Sequence, residues 1–278
     1  MLPQGGVLYE RIKIMNIGRF WRTVRHLNAD QWRYRLIRRG QHYITWLTPD
    51  IWSRRIDSLC QRLPIGDLTR KNLNVIADQT LAFQTAAYGL QLDEMALGKF
   101  TFLGETVDFG GIDRIDWRRR IGGKNNLLWR LNLGYMGYAV PWLANGNLLD
   151  LDRTVGLVRS LQEQNSWNSP NVFKDIWNPY TVSHRLINLL SGLNLYGRAG
   201  GNLEAAGVTL ILNHCRYAAS YVAVNLERDL QFNHLMKNYA ALAVYVATLE
   251  ILPTQWSFLP GAVMASVKQN FLSDGGHV

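Results

Sequence analysis

An amide and an imidazole stand side by side at Asn233-His234, after a polar and charged run over 225–231 and at the head of an apolar stretch that reads as a helix over 235–250. The first turn of a helix leaves backbone N–H groups unpaired and carries partial positive charge, so a carboxylate is favoured there. Asn233 adds an amide donor, and His234 adds a group that gives or takes a proton near neutral pH. Such a pair suits chemistry on a carboxylate-bearing substrate. The same residues also have a plain structural use, Asn as a helix cap and His as a half-buried, hydrogen-bonded side chain. Asn213-His214 lies inside another apolar run and is read as structural.

Two further clusters place aromatic and amide side chains at helix mouths. Trp129-Arg130-Leu131-Asn132 with Tyr135 and Tyr138 forms one stripe. Trp177-Asn178-Pro179-Tyr180 forms the other, and because Pro179 is suited to open a helix, His184 and Arg185 fall in its second turn. Trp and Tyr at such spacing serve either as a platform for a sugar ring or as core.

Composition narrows the partners without choosing among them. Thirty Lys and Arg against 21 Asp and Glu give a formal charge of +9, which favours an acidic partner such as a polyanionic glycan, a nucleic acid or a membrane surface. Four arginines crowd one face at Arg33, Arg35, Arg38 and Arg39, as a polyanion patch or a solvated helix face. No zinc-finger spacing, RNP-like strand or GXXG loop accompanies them, so nucleic-acid binding is not expected. Cys60 and Cys215 imply no disulfide framework or Cys-based zinc site, and no cofactor or metal signature is present. No apolar run is long enough to span a bilayer. The first thirty residues carry Arg11, Lys13, Arg19, Arg22 and Arg25 without an apolar core, so no secretory signal is visible, and the chain as it begins is expected in the cytoplasm.

The elements that must position these residues are nearly all helical. Hydrophobic content of 47% supports a sizeable core in 278 residues. Two helices are expected over 16–47, with Trp32 and Leu36 on an apolar face, then helices over 51–63 and most of 68–98. Residues 99–111 switch to alternation around a Gly-containing turn and predict one β-hairpin. Helices follow over 126–143, 150–166, 180–197, 203–227, 234–250 and 259–271. They are apolar on more than one face and so must be covered by other helices. The expected fold class is all-α, an incomplete α/α toroid of antiparallel helical hairpins, with a basic segment 1–70 before a toroid domain 71–278.

Six stretches in this order resemble the heparinase II/III family of polysaccharide lyases, which includes heparin/heparan-sulfate and oligoalginate lyases. They are Trp21-Arg22-Thr23-Val24-Arg25-His26-Leu27 with Tyr34-Arg35-Leu36; Phe100-Thr101-Phe102-Leu103-Gly104 leading to Asp116-Trp117; Leu128-Trp129-Arg130-Leu131-Asn132; Trp177 to Tyr180 with His184-Arg185-Leu186; Asn233-His234-Leu235; and Asp274-Gly275-Gly276-His277. The resemblance runs nearly end to end. It implies an incomplete toroid followed by an antiparallel β-sandwich, and β-elimination at a uronic acid. In that reaction the proton α to the carboxylate is removed and the glycosidic oxygen leaves. The proton is barely acidic while the carboxylate is charged, so a neutralising contact must strengthen as charge develops.

By the resemblance Asn233 is the neutraliser and His234 its partner or the base on one side. Substrate-binding roles are expected for Arg185, whose fork holds carboxylate or sulfate bidentately, and for His184, Trp177, Tyr180, Trp129 and Tyr138. The partner expected is an acidic polysaccharide or oligosaccharide, and the place expected is the cell envelope or periplasm. The chain departs from the family after Asp274-Gly275-Gly276-His277, where the catalytic Tyr segment and β-sandwich would follow, so an incomplete or inactive fragment is expected. Two alternatives stay open: a non-catalytic acidic-glycan-binding module, and a toroid glycoside hydrolase using two of Asp116, Asp150, Asp152, Glu163 and Asp175.

Overall fold

Pro179 starts the helix around which the others pack. The structure, a computed structural model, describes residues 29–120, 126–230 and 232–271. The chain is mostly helical, about 70%, with one small two-stranded antiparallel sheet. In order the main helices are α1 (Ala29–Leu47), α2 (Pro49–Arg62), α3 (Lys71–Tyr88), α4 (Leu92–Ala96), α5 (Leu127–Tyr135), α6 (Ala139–Leu143), α7 (Leu148–Gln164), α8 (Pro179–Arg198), α9 (Ala206–Val224), α10 (Phe232–Ala247) and α11 (Leu259–Asn270). The strands are β1 (Lys99–Phe102) and β2 (Glu105–Asp108).

Helix α8 is buried on nearly every side and is packed on by α3, α5, α6, α9 and α10. Its start is fixed locally: the Asn178 side chain accepts from the Tyr180 N–H, and Pro179, which has no N–H to leave unpaired, takes the first helical position. The seven-residue link between α8 and α9 is too short to run back along a 20-residue helix about 30 Å long. The two therefore pack antiparallel.

A helix this buried must satisfy its polar side chains internally. Asn188 takes a bond from Gln84, Ser191 donates to Thr80, and Asn194 donates to Asn74, at 3.0, 3.3 and 2.9 Å. These three positions recur every three residues on one face of α8, while their partners descend along α3. The pairs form a polar seam between two antiparallel helices. Asn188 also donates to the Tyr135 carbonyl and Asn194 to that of Leu68.

The hairpin expected over 99–111 is present as Lys99–Phe102 paired with Glu105–Asp108, with Phe102 opposite Glu105. Leu103 and Gly104 both take positive φ, the geometry of a two-residue turn whose twist matches the strands. Phe100, Phe102 and Val107 face the core. The single helix expected over 126–143 is two, because Met136 adopts a left-handed conformation and Gly137 lies flat against Gln84. Ile56, Leu63 and Leu68, from the basic helical segment expected over 1–70, lie in the same core as the later helices.

Helix α1 departs from its expected orientation at two positions, while Trp32 is half-buried and Arg33 and Arg39 are exposed. Leu36 is 64% exposed, whereas Arg38 turns inward to Glu227 at 3.1 Å and Asp229 at 2.9 Å. The Trp21–Leu27 and Asp274–His277 stretches of the resemblance lie outside the described residues.

Candidate functional site

Tyr180 and His184 are four residues apart and share the outward face of α8's first turns. Across from them, α10 begins at Phe232, three residues earlier than the sequence pattern indicates, so Asn233 and His234 both lie in its first turn. Asn233 is exposed and His234 half-buried. The rings form a chain: His184 stacks on Tyr135 at 4.4 Å, Tyr180 meets His184 edge-on at 4.7 Å, and Tyr180 meets His234 at 4.5 Å.

Beneath His234 lies a carboxylate that sequence reading missed. Glu227 is 0% exposed and takes three contacts, from Arg38, from His234 Nδ1 at 3.3 Å and from Asn238 Nδ2 at 3.2 Å. Its backbone N–H donates to Asn238 Oδ1, and Asn238 also donates to Ser183, so the connection between α9 and α10 is tied to both α10 and α8. Burial alone would lower the pKa of Arg38, but Glu227 and Asp229 outweigh it and hold that pKa above the ordinary value. A buried carboxylate with three such contacts is held in one place.

Neighbouring groups are tuned by the same burial. His184 is driven down to about 3, by burial first and then by Lys237 and His234, so it is neutral. Its Nε2 is buried without a hydrogen-bond partner. Burial lowers the pKa of Lys237. Burial and then Glu227 raise Tyr180, and burial and then Tyr180 raise Tyr135, so both phenols stay protonated. With Nδ1 held by Glu227, His234 is oriented as histidines are in acid–base dyads, its other nitrogen left to act outward. Lys237 lies near enough to His184 to help lower its pKa, and Asn233 is exposed in the first turn of α10.

The remaining expected site residues lie elsewhere. Trp129 and Tyr138 are fully buried against the hairpin, Trp129 over Phe102 and Tyr138 over Phe100. The Trp129 indole N–H donates to the Glu105 carbonyl, and the Tyr138 hydroxyl donates to that of Leu133. Trp177 donates to the Asn165 carbonyl and packs on Arg185, whose guanidinium is 0% exposed and bonds the carbonyls of Gly134 and Ile176. These four side chains are committed to the interior, and the geometry brings together Tyr180, His184, Asn233 and His234 instead. Two of the five carboxylates considered for a hydrolase are already engaged: Asp150 accepts from Asn147 and Arg153 at the start of α7, and Asp175 pairs with Arg130. Among the described residues no cluster of His, Cys, Asp and Glu could hold a metal, and no helix is long and apolar enough to cross a membrane.

No family model, no curated protein and no solved structure matches the chain.

Proposed function

We propose that this chain is a polysaccharide-lyase-like protein that takes a uronic-acid-containing glycan at the His234 face, and that its helices form an incomplete α/α toroid of the heparinase II/III kind. The observation that carries the reading is the Glu227–His234 pair beside Tyr180 at a helix start. β-Elimination needs a carboxylate held by neutral or cationic donors and a base at the adjacent carbon. Asn233 and Lys237 are the donors, and His234, oriented by Glu227, is the base. Tyr180, protonated throughout the neutral range, is a hydrogen donor toward the leaving oxygen.

The same phenols favour a second reading, a binding module without turnover, because a tyrosine whose pKa is raised makes a poor base. Calorimetry with alginate and heparan-sulfate oligosaccharides tests the shared part. Binding is expected to weaken with added salt and with His234→Ala, and uronate binding that neither salt nor His234→Ala changes would overturn both readings. Ultraviolet absorbance of an unsaturated uronate separates elimination from binding alone.

A further inference from the structure

A cleft of about 860 Å³ opens between α2, the C-terminal end of α7 and α9, and it shares neither helix ends nor lining side chains with the His234 face. Its inner wall is aromatic, made by Trp167, Trp177 and Tyr217, and these rings pack on one another at 5.8 to 6.1 Å. Amides supply the polar part: Gln162, Asn165 and Asn213 line it, with Gln162 and Asn213 exposed. Asp50 and Asp57 stand at its rim, both exposed. No Lys or Arg is among its lining residues, although the chain as a whole carries +9.

That combination selects by charge and by shape. Aromatic walls with a few amides and hydroxyls are the makeup of small-molecule sites of this size. Two carboxylates and no cation repel an anionic sugar, while amides both donate to and accept from hydroxyl groups. His214, at the cleft and buried, is kept uncharged by burial and by Arg185 and adds no positive charge there. We infer that this cleft is a binding site for a neutral saccharide of about two sugar units, whose hydroxyls meet the amides and carboxylates and whose apolar ring face lies against the half-buried Tyr217 ring, with Trp167 and Trp177 packed behind it. The inference does not rest on the lyase reading, since its residues are different and its ligand is uncharged.

The test uses the full chain and calorimetry with maltose and cellobiose, alongside a glucuronate disaccharide and choline. Saturable binding of a neutral disaccharide is expected, and in the His234→Ala chain, where the uronate face is disabled, the response to the glucuronate and to choline is expected to be at least fivefold weaker. Asn213→Ala is expected to weaken that binding by about tenfold, the size of one lost hydrogen bond. Thr209→Trp, at an exposed position on the cleft wall, is expected to abolish it. His234→Ala is expected to leave it unchanged. Circular dichroism and melting of both cleft variants establish that they remain folded. The inference is overturned if neither neutral disaccharide binds, if glucuronate or choline binds the His234→Ala chain as well or better, or if folded Thr209→Trp binds the neutral disaccharide like the parent.

Discussion

Arg185 holds a guanidinium in the interior on two carbonyl oxygens and an indole face, and burial pushes its pKa down to about 10. Arg185→Ala would strand the Gly134 and Ile176 carbonyls and open a cavity beside Trp177. We expect a loss of about 3–5 kcal/mol in chemical denaturation, and no loss of glycan affinity beyond what unfolding explains. His234 is different: its side chain is 41% exposed, and without it Glu227 keeps Arg38 and Asn238. His234→Ala should melt within a few degrees of the parent while reducing uronate-oligosaccharide affinity by about tenfold, read by calorimetry. The difference between these residues was partly legible. Tyr180 and His184 are spaced four apart and so share one face, whereas Arg185 falls with Thr181 about a quarter-turn away, on the side where Gly134 approaches. Glu227 was not legible, because it matters only once the connection before α10 brings it to Arg38, 189 residues away in sequence.

At the scale of elements, packing registers are set by small and polar residues more than by the apolar majority. Gly66 lies so close to Thr248 that a Cβ there would overlap Thr248 Oγ1. Gly66→Ala is expected to destabilise by about 2 kcal/mol or more, and Thr248→Ala in the same chain to recover part of that loss. A double-mutant cycle with additive effects would contradict the contact. Asn188→Ala removes a bond to the Tyr135 carbonyl and leaves the buried Gln84 amide without its acceptor, so a fall of about 2 kcal/mol in unfolding free energy is expected. Long helices and the hairpin were readable from their periods of 3.6 and 2. The break at Met136 was not, since a left-handed methionine is imposed by its surroundings rather than chosen by its own propensity. Nor was the inward turn of α1: Arg38 goes in because Glu227 and Asp229 wait there, and sequence alone gives arginine an outward place.

For the molecule as a whole, buried histidines set the response to acid. His184 and His214 are both held down to about 3, chiefly by burial, against about 6.5 in an unfolded chain. Between those values the unfolded state binds protons that the folded state does not, so stability rises with pH there and is lost as pH falls below about 6.5. The two together account for up to about 3 kcal/mol per pH unit at the steepest part. Burial likewise holds His42 down to about 4, so denaturation followed from pH 7 to pH 4 should show at least that slope, and His214→Gln should flatten the total by about a third. The core that unfolds is shared from Ile56 to Leu259. The seam between α3 and α8 joins residues 104, 111 and 120 positions apart. During synthesis at about 5–20 residues per second, α3 therefore leaves the ribosome roughly 5–20 s before the helix that covers it. Over that interval Asn74, Thr80 and Gln84 offer water the polar groups that α8 later satisfies, so the face that waits to be covered is not wholly apolar.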